Sequence, residues 1–454
     1  MTRPVNGSPV RTTHQALARR VHGAILERLA GHPGRERLDR SDQRQLVLAW
    51  IQAELDREAR RRVIDGEEQL GPEAEQAVVR AVENTVWGLG RIQALLDVPG
   101  VEDIHIAGSD VPLLRMTDGS VRKAESAIAE SDDDLVQQIQ FIAAHHGSSE
   151  RAFSPAQPFL NMQLPDGSRL AAMRDVVPRP VVTIRRHRLV DVTLADLVRN
   201  GTLSEPIARF LTALVRSAVS ILVTGMPAAG KTTLLRALAR EIDPTERFAT
   251  LETEFELNLH RLPNSPPLMY AAECRSGSTE RDPATGRAAG EKTLSDLLVQ
   301  TLRMSVTRVI VGEVRGEEAL PMLEAMNAGM PGSMCTLHAG SAAEAFERLV
   351  TAAMKGTGSG WSDGFVTRLA AQGIKYVVHM RHVRAPDGTR ARFVAEVAEV
   401  SAVSDDGRVA LNRIFSPAGN GDHRAVFQLL PQDRRPFVEA GVDLSFLRSQ
   451  SAAR

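Results

Sequence analysis

The stretch that most constrains this chain is Ile221-Leu222-Val223-Thr224, followed at once by Gly225-Met226-Pro227-Ala228-Ala229-Gly230-Lys231-Thr232-Thr233 and the helical run Leu234–Arg240. An apolar strand, a glycine-bounded loop and a helix, in that order, form the G-x-x-x-x-G-K-[ST] motif in the context it requires. Gly225 and Gly230 permit a tight loop that turns backbone N–H groups toward a β-phosphate. The helix N-terminus behind them adds a fixed partial positive charge. Lys231 reaches the β and γ oxygens, and the Thr232 hydroxyl is a candidate Mg²⁺ ligand. Every position from Gly225 to Thr233 is therefore a predicted nucleotide contact.

Such a cradle belongs on a parallel sheet, and the flanking sequence supplies one. Strand-like Ser220–Thr224, Phe248–Leu251, Arg308–Val311 and Ser333–Thr336 alternate with helical Lys231–Glu241, Thr293–Met304, Ala319–Ala328 and Ala342–Met354. That alternation predicts crossover helices on a parallel sheet. Ser276–Gly290, polar and rich in Gly, Ser, Arg and Glu, reads as an exposed loop. Carboxylates at the C-terminal ends of adjacent parallel strands converge on the crevice where ligands bind. Two such ends occur, Thr250-Leu251-Glu252-Thr253-Glu254-Phe255-Glu256 and Arg308-Val309-Ile310-Val311-Gly312-Glu313. In the second, Gly312 occupies the usual Walker B aspartate position. A third strand leads into Leu337-His338-Ala339, which puts His338 at the same edge.

At 454 residues the chain is too long for one core, and two or three domains are expected. Residues 1–86 read as a helical segment: a disordered start over 1–13, then His14–Ala30 with Leu17, Val21, Ile25 and Leu29 inward. A second helix spans Ser41–Arg62, N-capped by Ser41, with Leu48, Ile51 and Leu55 inward, and a third spans Pro72–Val86. The basic residues there (Arg19, Arg20, Arg28, Arg60, Arg61, Arg62) can touch lipid headgroups or a partner, although solvated helix faces are the better explanation. Residues 87–189 read as a mixed α/β domain, with hairpin turns at Thr117-Asp118-Gly119-Ser120 and Pro165-Asp166-Gly167-Ser168. Residues 190–203 read as a linker ending in a short helix, and 204–454 as the nucleotide-binding domain with a C-terminal extension. That extension carries strand-like runs at Tyr376–Met380 and Ala391–Val400 around Pro386-Asp387-Gly388.

A net charge of −1 gives no whole-chain attraction to nucleic acid or acidic lipid, and aromatics at 4% argue against base-stacking surfaces. The two cysteines, Cys274 and Cys335, are expected as reduced thiols. With no apolar leader at Met1–Gly23 and no long apolar run, the expected location is the cytoplasm, with the membrane reached only by docking.

The cradle, the acidic box Leu251–Leu257, RVIVGEVRG at Arg308–Gly316 and GSMCTLHA at Gly332–Ala339 together resemble the secretion ATPase superfamily. Within it, the chain looks like the CpaF/TadA-type ATPases of tight-adherence and type II/IV pilus systems. Leu164-Pro165-Asp166-Gly167-Ser168-Arg169 and Thr183-Ile184-Arg185-Arg186 add to the likeness. The resemblance implies a RecA-like P-loop core preceded by a mixed α/β domain. It also implies ATP and Mg²⁺ as cofactors, a homo-hexameric ring, and inner-membrane platform proteins as partners without direct nucleic-acid contact. It casts Glu252 as a base-like carboxylate, Glu313 as Mg²⁺ and water organiser, and His338 as a neighbour of the γ-phosphate. Arg185, Arg169 and Arg186 become neutralisers of phosphate charge. The position after Glu252, commonly Asp in the family, is Thr253, with Glu254 a possible substitute. Two other readings share these residues: a conjugation-type ATPase exporting DNA or protein, and a nucleotide-gated scaffold with little turnover.

Overall fold

Apolar residues four apart near the start of the chain find one another: Leu17, Val21 and Ile25 are buried with Val47, Ile51, Leu55, Val78 and Val82 in one small core. The computed structural model describes residues 17–18, 20–25, 27–28, 40–86, 88–146, 153–186, 191–262, 264–275, 277, 280–283, 286–356, 361–384, 390–404, 407–419 and 421–447. Residues 1–13, Arg19, Leu29 and the turn Pro386-Asp387-Gly388, all singled out above, lie outside them. The chain divides into two units, Met1–His187 and Arg188–Arg454.

In the first unit the described residues among 17–28 are helical, and α1 (Arg40–Asp65) and α2 (Pro72–Val86) follow. Ser41, expected as a cap, lies inside the first turn of α1, and Val47 rather than Leu48 faces the core. After α3 (Ile92–Leu96) come β1 (Val101–Ala107), β2 (Leu113–Met116), β3 (Val121–Lys123), α4 (Asp132–His146), β4 (Phe159–Gln163), β5 (Arg169–Met173) and β6 (Val181–Arg185). The strands form one antiparallel sheet ordered β3-β2-β1-β6-β5-β4. Both hairpin turns close as their Asp-Gly-Ser sequences require. Gly119 and Gly167 take φ +85° and +88°, and Asp118 and Asp166 accept the amides of Ser120 and Ser168. Ile104, Ile106, Leu170 and Ile184 face Leu135, Ile139 and Ile142 of α4 in a single core.

The second unit begins where a linker was expected. Thr193 caps α5 (Leu194–Arg199) with a full capping box to Asp196, and Val192, Leu194, Leu197 and Leu203 are buried. Residues 191–203 are therefore part of the core. Next come α6 (Glu205–Arg216), β7 (Ile221–Gly225), α7 (Lys231–Ala239), β8 (Phe248–Glu252), β9 (Tyr270–Glu273), α8 (Leu294–Thr301), β10 (Arg308–Val311), α9 (Ala319–Asn327), β11 (Met334–Leu337), α10 (Ala342–Gly356) and α11 (Asp363–Gly373). The chain finishes with β12 (Tyr376–Arg384), β13 (Arg390–Val403), β14 (Val409–Gly419), β15 (Asp422–Phe427) and α12 (Arg435–Glu439). The strand order is β15-β14-β13-β12-β7-β11-β10-β8-β9. From β12 to β9 all neighbours are parallel, and the last three strands add antiparallel. The tail thus completes the sheet that the cradle stands on. Helices cover both faces: α6 and α7 pack on Ile221, Val223 and Val378, while α9, α10 and α11 pack on Leu222, Val311 and Val377. Central strands buried on both sides explain their unbroken apolar runs.

Candidate functional site: a glycine cradle among strand ends

Four parallel strands end side by side at Gly225, Leu337, Val311 and Glu252. At the first of them the backbone is shaped for a ligand. Gly225 has φ +152°, and a Cβ there would lie 2.4 Å from the Met380 carbonyl oxygen. Gly230 has φ +97° and N-caps α7 without a side chain to occupy the amides. Only glycine fits either place. Arg392 of β13 braces the loop from outside by donating Nε–H to the Ala228 carbonyl at 2.9 Å.

Lys231 is 7% exposed and spends its three protons inside the loop. Nζ donates to the carbonyls of Gly225 (3.1 Å) and Met226 (3.4 Å) and to His338 Nδ1 (3.0 Å). Burial pulls the ammonium down to about 8, while the carboxylates of Glu313 and Glu256 act against that. An ammonium has no lone pair, so His338 Nδ1 is the acceptor and the ring proton sits on Nε2. Nε2 lies 2.7 Å from Glu313 Oε1, a close contact without hydrogen-bond geometry, and Arg315 pairs with the other oxygen. Desolvation and the Lys231 charge keep His338 below its ordinary value, consistent with this neutral tautomer. Lys231, His338, Glu313 and Arg315 are thus one continuous polar chain.

The acidic box is tied down by its own carboxylates. Glu252 is 2% exposed, and its Oε2 accepts the amides of Glu256 and Leu257, each at 2.8 Å. Glu273 at the end of β9 accepts the Phe255 amide at 2.9 Å. This loop brings Glu256 Oε2 to 3.3 Å from the Thr232 hydroxyl, and Arg236 clamps the Glu256 carbonyl at 2.7 Å. The glycine at the Walker B aspartate position now has a reason. A Cβ on Gly312 would stand 2.9 Å from Glu252 Cγ and 3.1 Å from its Oε2, so the Glu252 side chain keeps this position only without a side chain there.

The predicted residues Gly225–Thr233, Glu252, Glu313 and His338 therefore gather at one edge of the second unit's sheet. Thr253 is exposed, and Glu254 acts electrostatically on Arg315. Arg169, Arg185 and Arg186 belong to the first unit. Arg185 is anchored there by Asp103 (Nε to Oδ1, 3.0 Å), and the Arg186 amide donates to the Glu102 carbonyl at 2.8 Å. Glu256 was missed as a site residue although it lies in the acidic box. Arg392 gave no signal, being brought to the loop only by the strand order.

An open α/β sheet with a glycine cradle, a buried lysine and carboxylates at the neighbouring strand ends defines a phosphate-binding α/β protein. The family model for type II/IV secretion system proteins matches residues 93–414. The chain belongs to that family, a family of secretion ATPases. It is 29% identical over 378 residues to a putative conjugal transfer protein of Mycobacterium tuberculosis, covering 80% of this chain and 99% of the relative. It is 31% identical over 268 residues to a type IV secretion system PtlH homolog of Bordetella bronchiseptica, covering 54% and 76%. Among solved structures, the Legionella pneumophila ATPase DotB shares the fold, at 20% identity and a TM-score of 0.50, over 70% of this chain and 81% of that one. Among the described residues no helix is long and apolar enough to cross a membrane.

Proposed function

We propose that this chain is an ATP-hydrolysing motor subunit with a RecA-like P-loop core, driving pilus assembly or export by a type II/IV-class machine. The observation that carries the reading is the Lys231–His338–Glu313 chain laid across a cradle that a single Cβ would fill. In this reading Lys231 exchanges its loop carbonyls and His338 for β and γ oxygens. His338 and Glu313 are then released toward the terminal phosphate, where Glu313 orients water. Glu252 serves as the base-like carboxylate and also holds the loop that carries Glu256. Oxygen donors suit Mg²⁺. Thr232 and Glu313 would hold it, and it supplies neutralisation of phosphate charge. Arg185, with Arg169 and Arg186, adds positive charge from the first unit. A homo-hexamer docked on inner-membrane platform proteins, in the cytoplasm, completes the reading, and the tight-adherence subtype is its narrowest form.

Phosphate release by the purified chain tests this. Lys231→Ala should lower turnover by about 100-fold or more, the scale of a lost transition-state donor at about 3 kcal/mol. Glu252→Gln should bind ATP without turning it over. Wild-type turnover in either variant overturns the assignment, and a folded wild type without phosphate release leaves only the scaffold reading. A second reading, export of DNA or a protein–DNA complex, is favoured by the likeness to a putative conjugal transfer protein over 80% of this chain and 99% of that relative. DNA affinity that falls steeply with salt would support it.

A further inference from the structure

One residue of the cradle is held in a conformation that its side chain opposes. Ala228, between the two motif glycines, takes φ +64°, in the left-handed region. A residue with a Cβ is disfavoured there by about tenfold against the right-handed basin. The conformation has a use. Positive φ at Ala228 and at Gly230, on either side of Ala229, gives the alternating backbone that turns successive N–H groups into one anion-binding concavity. An Ala228 relaxed to negative φ rotates its flanking peptides and breaks up that array.

Strain of this kind persists only where the surroundings hold it. The ties inside the loop fall on other residues: Lys231 Nζ donates to the carbonyls of Gly225 and Met226, and the Ala229 amide donates to the Met226 carbonyl at 3.2 Å. The Ala228 carbonyl accepts instead from Arg392 Nε at 2.9 Å. Arg392 stands on β13, where pairing with β12 sets it opposite His382 and sets Val394 opposite Met380. Met380 walls the same loop, its carbonyl oxygen against Gly225 and its Cε 3.4 Å from where a Gly230 Cβ would stand. The β12–β13 hairpin therefore meets the cradle at both glycines and at the strained alanine. Water satisfies the Ala228 carbonyl in any conformation. A guanidinium carried on a paired strand satisfies it only where the left-handed residue points it, so this charge-assisted bond selects one loop shape. When Lys231 leaves its two carbonyls for phosphate, as proposed above, the bond from Arg392 outside the loop is untouched.

We infer that Arg392 is a positioning residue for the nucleotide: it holds Ala228 left-handed, so that the loop amides face phosphate before it arrives. This rests on the reading above that the cradle binds ATP. The test compares four full chains, namely wild type, Arg392→Met, Ala228→Gly and the double variant. Each is checked for folding by thermal denaturation and titrated with Mg²⁺ and a non-hydrolysable ATP analogue. Arg392→Met should bind about tenfold more weakly than wild type, the scale of the left-handed penalty. Glycine takes positive φ without that penalty, so in the Ala228→Gly chain the same arginine substitution should weaken binding by about twofold or less. A lost charge, or a hairpin loosened in general, would cost the same in both backgrounds. Equal losses in the two backgrounds would therefore overturn the inference, as would wild-type affinity in Arg392→Met. Arg392→Gln carries the same comparison if Arg392→Met does not fold. A folded wild type that binds no analogue overturns the ATP reading itself, and is told apart because all four chains are then silent.

Discussion

Lys231 sits at an unusual charge balance for a lysine proposed to grip phosphate. Its three protons are already accepted by two carbonyls and a neutral imidazole, and burial lowers it to about 8. A triphosphate needs the charged form and raises the value when it binds. Below pH 8 the free protein already holds the proton, so affinity is flat. Above pH 8 each nucleotide bound must also bring a proton to Lys231, and affinity falls about tenfold per pH unit. Titrating ATP or a non-hydrolysable analogue into the chain between pH 6.5 and 9.5 reads this directly. A flat profile through pH 9.5 would mean that the lysine is not buried as described. His338 reinforces the effect, because its neutral ring cannot supply positive charge in place of a deprotonated lysine. None of this was visible in the sequence: the motif named Lys231 and His338 separately, and only the adjacency of β7 and β11 puts Nδ1 against Nζ.

At the level of elements, the best-read segments were those whose physics is local. Val101–Ala107, Pro72–Val86, Val181–Arg185 and Arg308–Val311 have the bounds expected, since alternation, an N-terminal proline or an unbroken apolar run specifies each. Segments that depend on distant partners were misread. Residues 191–203 read as a linker ending in a short helix; the helix is there as α5, but Leu194, Leu197 and Leu203 fill the core beneath α6 and α7. The tail gave only two strand-like runs because β14 and β15 exist through pairing with β13. One carboxylate secures that tail. Glu399 of β13 is 5% exposed and accepts from Asn412 Nδ2 (2.8 Å), the amides of Gln432 (2.8 Å) and Asp433 (3.0 Å), and the Tyr376 hydroxyl (3.5 Å). Removing it takes the acceptor from one buried donor, the Tyr376 hydroxyl, and from three part-buried ones, at up to about 1–3 kcal/mol for a donor that water cannot reach. Glu399→Ala should therefore lower the melting temperature by several degrees and open residues 428–434 to limited proteolysis. Unchanged cleavage there would assign the anchoring to the Phe210–Phe415–Phe437 ring cluster instead.

On the scale of the whole molecule, the chain holds cores that do not share residues. Leu17, Val21, Ile25, Val47, Ile51, Leu55, Val78 and Val82 bury one another, and none of them enters the core of the antiparallel sheet. Glu58, buried beside Arg61 and Arg62 of its own helix, is joined by Arg20 of the preceding helical residues, and those hydrogen bonds hold its carboxyl at about 2. The match to the secretion family begins at residue 93, after these helices end. An element with its own core, its own ion-pair cluster and no place in the family match is separable from the chemistry. A chain lacking residues 1–86 should then fold, keep Ile104, Leu135 and Ile184 packed, and release phosphate within about twofold of the full chain, because nothing that forms the cradle is removed. The helices would be left with a docking or regulatory task. Comparing proteins captured by the full and shortened chains would locate it, provided the shortened chain still hydrolyses ATP; loss of turnover on deletion would instead make the helices part of the motor.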